Sequence, residues 1–204
     1  MIFSRAFAFA VAITWSALPQ TQSAVAQIDH CKQQKRSVEI ESAQSFQELS
    51  KLHATWNSSA QLDFFFAYRT FELKKSPETA ATLLRLTPQT EQQEAARYEI
   101  SGHNCSGLTE QESRALDSMY DGLSPLLQQA VMVAPQLLDK YVSYSLLATM
   151  DVHSDYPNQM IPVCRAFHPQ FINAVSRLPD RDRKWMTKHL FDPGRCKSLF
   201  NPEE

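Results

Sequence analysis

Between Ser59 and Leu73 the chain reads SAQLDFFFAYRTFEL, and its apolar residues do not keep to one side of a helix. At about 100° per residue, Leu62, Phe65, Phe66 and Leu73 fall on one side, while Phe64, Ala67, Tyr68 and Phe71 fall on the other. The polar strips between them are narrow, with Asp63, Thr70 and Lys74 on one edge and Gln61 and Glu72 on the opposite edge. Neither apolar face can be left to water, so neighbouring elements must cover both. The spacing predicts a central helix, and Ser58 and Ser59 supply the hydroxyls to cap it.

The flanking sequence reads as further helices punctuated by prolines. Ser42 to Trp56 places Phe46, Leu49, Leu52, His53 and Trp56 on one face. Ser76-Pro77 and Thr87-Pro88 each predict a helix start with proline at the first helical position, where its missing N–H costs nothing. Thr109 and Glu112 have the spacing of a capping box. Ser124-Pro125 and Ala134-Pro135 predict two more starts, Met160 to Phe167 and Pro169 to Leu178 two further helices, and Pro179-Asp180 a stop followed by a cap. A last helix is expected over Arg181 to Phe191. Residues 101–108 and 151–157 read as loops. No segment alternates at period two over a useful length, and only 4 of 204 residues are glycine, which disfavours tight hairpins and phosphate-binding loops. The fold expected is all-α, a single-domain bundle of eight or nine helices or a short α-α superhelix of antiparallel pairs, stapled by disulfides.

The N-terminus carries Arg5, an apolar run from Ala6 to Leu18 and the small-residue triplet Ala24-Val25-Ala26. That order is the pattern of a secretory signal peptide, so residues 1–26 are expected to be removed before Gln27. Residues 27–204 then form one helical domain, irregular from about 192, and the product is exported to a periplasm or secreted, with no stable membrane span. Its four cysteines are Cys31, Cys105, Cys164 and Cys196. An even count in an exported chain predicts disulfides. The pairing expected is Cys31 with Cys105, pinning an otherwise loose N-terminus, and Cys164 with Cys196, tying down the tail. A zinc site built from these cysteines is disfavoured by the absence of C-x-x-C spacing.

The formal charge of −2 gives no electrostatic basis for nucleic-acid binding. Three constellations offer chemistry. Arg69 lies among Leu62, Phe66 and Leu73, so it is either a core arginine paired to a carboxylate or a helix C-terminus, or it opens onto a pocket that receives an anion. Asp151, His153 and Asp155 alternate in a loop and are the metal candidates, because oxygen and nitrogen ligands there could converge on one cation. His103, Cys105 and Ser106 are adjacent, but adjacency does not supply the geometry a nucleophile needs. No cofactor is expected. The function expected is that of a non-enzymatic binding protein of the cell envelope or extracellular space, meeting another protein through a helical groove or the 101–108 and 151–158 loops. The alternatives are a small metal-dependent hydrolase around Asp151, His153 and Asp155, and a carrier whose phenylalanine-rich helix lines a cavity for an apolar ligand.

Overall fold

The computed structural model describes residues 20–55, 59–101, 108–149, 156–191 and 196. Among the described residues there are ten α-helices and no strand: α1 (Gln20–Ser42), α2 (Phe46–His53), α3 (Ala60–Leu73), α4 (Pro77–Leu86), α5 (Glu91–Ser101), α6 (Glu110–Val133), α7 (Leu138–Thr149), α8 (Tyr156–Ala166), α9 (His168–Ser176) and α10 (Asp180–Met186). A 3₁₀ turn, Pro135–Leu137, leads into α7, and a π-helical turn, Thr187–Phe191, follows α10. The chain is all-helical, as its periodicity implies. No helix among the described residues is long and apolar enough to cross a membrane.

The helix read from the two-sided apolar stretch is α3. It starts where Ser59 accepts a hydrogen bond from the Leu62 amide, so a capping hydroxyl sets its first turn. Helices α1, α2, α4, α5 and α6 all pack against it. Their side chains bury Leu62, Phe64, Phe65, Ala67, Tyr68 and Phe71, which come from both of its apolar sides. Phe66 and Leu73 are partly covered at its edge.

Helix α6 shares the centre. It runs unbroken from Glu110 to Val133, with Pro125 inside it, rather than ending at Ser124. The reason is the stripe on either side of the proline: Leu123, Leu126, Leu127, Ala130 and Val131 are all buried and continue one face. Their burial offsets the one missing backbone bond that proline imposes. Helix α6 touches α1, α3, α4 and α5 as well as α7 and α8. It comes close to α3 at Gly122, where an added Cβ would lie 2.7 Å from the Tyr68 hydroxyl oxygen and would force that buried side chain to shift.

Two other starts are as the sequence implies. Ser76 and Thr79 exchange side-chain and backbone bonds ahead of Pro77, and Thr109 and Glu112 form a reciprocal capping box. Three readings are corrected. The segment before Ser42 is not loose: it is α1, which buries Gln34, Ser37, Val38 and Ile40 and passes through the expected cleavage point. Good helix formers such as Gln, Lys, Arg and Glu fill it, with too few apolar residues to give a periodic signal. Pro88 does not open α5. The Thr90 hydroxyl accepts from the Gln93 amide and the helix starts at Glu91, leaving Pro88 and Gln89 in the link between α4 and α5. Pro179, rather than Asp180, occupies the cap position of α10. One apolar cluster reaches from Val38 to Cys196, so α9, α10 and the cysteine near the C-terminus share the core of the N-terminal helices.

Candidate binding cleft between α3, α4 and α5

Helix α4 must stop before Pro88, whose ring disfavours helical backbone at Thr87. Thr87 accordingly turns to φ −58° and ψ 140°, and its hydroxyl donates to the Leu84 carbonyl at 2.9 Å. Gln89 then clamps the link, its amide nitrogen donating to the Thr87 and Pro88 carbonyls at 2.9 and 3.0 Å. The Gln93 side chain closes the other end by accepting from the Gln89 backbone N–H at 2.8 Å.

This hydrogen-bonded elbow stands beside the first turn of α3 and leaves a half-open cleft of about 210 Å³. Phe64, Leu86 and Pro88 give it an apolar lining, and Gln61, Arg85, Gln93 and Arg97 bring polar groups to it. Arg97 is buried, with its side chain 3% exposed. Its Nε donates to Glu94 Oε2 at 2.8 Å and its Nη2 pairs with Glu94 Oε1, a two-pronged ion pair that the Tyr144 hydroxyl joins at 3.3 Å. A guanidinium cannot shed its proton, so this buried charge depends on Glu94. Arg85 is exposed at the rim and, among the described residues, makes no hydrogen bond or ion pair; the same holds for the Gln61 side chain. The cleft therefore offers an apolar surface edged by unused donors.

Arg69 is placed elsewhere, where α1, α2 and α3 meet. Its Nε and Nη2 donate to the Ala43 carbonyl just beyond the end of α1, at 3.1 and 2.7 Å, and its Nη1 pairs with Glu72. Its side chain is 12% exposed. These contacts match a core arginine bound to a carboxylate and a helix C-terminus. Glu41, on α1, lies nearby with Oε2 buried and without a hydrogen-bond partner among the described residues. Burial pushes the Glu41 carboxyl up to about 7, with Arg69 pulling it down and Glu72 pushing it further up. Burial also raises the Tyr68 hydroxyl well above the usual range, reinforced by the Glu72 and Glu41 carboxylates.

The acid Glu41 has its folded pKa raised, so the folded state holds a proton that the unfolded chain has already released. Its contribution to stability is greatest below about pH 4.5 and is lost as pH rises through about 7. Glu41→Gln is expected to leave stability near that of the parent at pH 5. At pH 8 it is expected to raise stability by about 1–2 kcal/mol, a range discounted for solvent screening of a partly exposed group. Urea midpoints of both proteins at the two pH values measure this.

Cys164 and Cys196 form a disulfide with Cα atoms 6.3 Å apart. Cys31 is also disulfide-bonded, while Cys105, its expected partner, lies outside the described residues. So do Asp151, His153 and Asp155, as well as His103 and Ser106, residues 1–19 and the tail from 192 other than Cys196. No sequence motif marks the donors at the cleft. Glu94 and Arg97, three residues apart, are the one local signal, and such pairs usually lie on exposed helix faces.

Fold and cleft together describe an all-helical, disulfide-bonded protein with a small half-open cleft at a proline elbow. No family model, curated protein or solved structure matches the chain. Function has to be read from the cleft itself.

Proposed function

We propose that the protein is an exported, non-enzymatic binding protein of the envelope or extracellular space, and that the α3–α4–α5 cleft receives an acidic, apolar-bodied segment of a partner protein. The observation that carries this reading is the size and edging of the cleft. At about 210 Å³ it is smaller than the roughly 300–1,000 Å³ of ordinary small-molecule sites. It suits one projecting side chain of a partner, the kind of pocket in which interface energy concentrates. The free donors at its rim, Arg85 above all, complement a carboxylate. A carrier of apolar ligands finds less support, because Phe64 alone among the aromatic residues of α3 borders the cleft, while Phe65, Tyr68 and Phe71 are buried in the helical core. Export rests on the signal-peptide pattern of residues 1–26.

The test is photocrosslinking in the native host, with a benzophenone amino acid replacing Gln61 and, as a control, Arg181. The expected result is a mature chain starting at Gln27, with one defined protein adduct from position 61 and none from 181. Arg85→Glu should lower the adduct about tenfold, and added salt should lower it in the parent. Equal labelling from both positions, or an adduct indifferent to Arg85, would refute the cleft. A chain retaining residues 1–26 would refute export.

A further inference from the structure

The Cys164–Cys196 bridge has an imidazole beside it. Helix α8 ends at Ala166 and α9 begins at His168, with Phe167 as the single residue between them. The Phe167 amide still donates to the Val163 carbonyl at 3.0 Å, and the Phe171 amide to the Phe167 carbonyl at 2.7 Å. The backbone turns at Phe167, at φ −126° and ψ 40°, but these bonds keep the two helices close. It returns His168 to the side of Cys164, one turn earlier. Cys196 reaches the same point from 32 residues along the chain. One ring nitrogen and both sulfurs lie within 4.8 Å of one another. Both cysteines are buried and His168 is half-buried.

We infer that, once the disulfide is reduced, Cys164, His168 and Cys196 form a binding site for a thiophilic divalent cation such as zinc. Donors around a tetrahedral zinc, with bonds of about 2.0–2.3 Å, stand roughly 3.3–3.8 Å apart, so small side-chain rotations suffice. Two thiolates and an imidazole are the ligand types such an ion takes, and a water completes the fourth position. The balance is simple. A dithiol reductant attacks the bridge through a mixed disulfide and leaves as its own cyclic disulfide, having given two thiols to the protein. The cation then displaces the two thiol protons and binds both sulfurs and the ring nitrogen. Disulfide and metal are thus alternative states of the same residues. The sequence hid this because the ligands are not in a C-x-x-C array: two come from consecutive helices and the third from the C-terminal segment.

The test uses the full chain reduced with a phosphine and then desalted. Zinc is added, the free thiols are alkylated, and the modified cysteines are mapped by mass. In parallel, cobalt(II) is titrated as a spectroscopic stand-in. The expected result is one equivalent of metal, with Cys164 and Cys196 protected while Cys31 and Cys105 are alkylated, and a thiolate-to-cobalt charge-transfer band. His168→Gln should weaken binding by about a hundredfold while keeping the far-UV helical signal and the ability to form the bridge. The oxidised protein should show no band. Protection that ignores His168, or that falls on Cys31 and Cys105, would overturn the assignment. So would a reduced chain that loses its helical signal and does not regain it with zinc.

Discussion

Arg97→Met is expected to destabilise the fold by about 3–5 kcal/mol, because it strands the Glu94 carboxylate without its buried guanidinium. Methionine keeps the apolar stem of arginine without its charge, so the space left by the guanidinium adds to the loss of the charge. The Glu94 side chain is itself only 15% exposed, and the Tyr144 hydroxyl at 3.3 Å is a weak substitute for a two-pronged partner. The double variant Glu94→Leu with Arg97→Met removes both charges and should recover most of the loss, since apolar replacements of buried ion pairs are often close to neutral. Denaturant midpoints of the parent, the single variant and the double variant decide the matter. A single variant within about 1 kcal/mol of the parent would mean that water already screens the pair. The double variant also separates stability from recognition, because it is expected to fold while presenting an altered cleft lining.

Phe71→Ala is the second large effect, at about 3–5 kcal/mol. Phe71 is fully buried on α3, where α1, α2, α4, α5 and α6 all converge on one helix. The vacated space has packed neighbours that are held by other contacts and cannot all move inward. Phe46→Ala is the matched control: Phe46 is 45% exposed at the start of α2, and its truncation should cost under about 1 kcal/mol. Thermal unfolding of the two variants side by side gives the comparison. Similar losses for both would contradict the central position of α3.

The residue pattern carried the helices whose apolar faces are long and periodic. Helix α3 could be read because its phenylalanines point both ways, α4 because Ser76-Pro77 puts proline at the first helical position, and the start of α6 because Thr109 and Glu112 can cap reciprocally. What was not legible had physical causes. Helix α1 is built from residues that favour helix but carry little periodic hydrophobicity, so its burial depends on neighbours far along the chain. Pro125 reads locally as a break, but the stripe from Leu123 to Val131 overrides it. Arg69 could be picked out in the sequence because a charge in an apolar face needs a partner, although which partner depends on where Ala43 falls in three dimensions. The cleft was invisible for the same reason: Phe64 and Arg97 belong to different helices, and only the elbow at Pro88 brings them to one opening.

The central place of α6 also governs the order of events as the chain is made. Helices α1, α3, α4 and α5 all lean on it, yet it comes after them in the sequence. At synthesis rates of roughly 5–20 residues per second, about 3–12 seconds separate the emergence of Leu73 from that of Val133. For that interval α3 can find α1, α2 and α4 but not its last wall, and part of its aromatic surface stays wet. The delay in closing the interior is built into the order of the helices. The helix whose proline looks like an interruption is the one whose arrival lets the interior close.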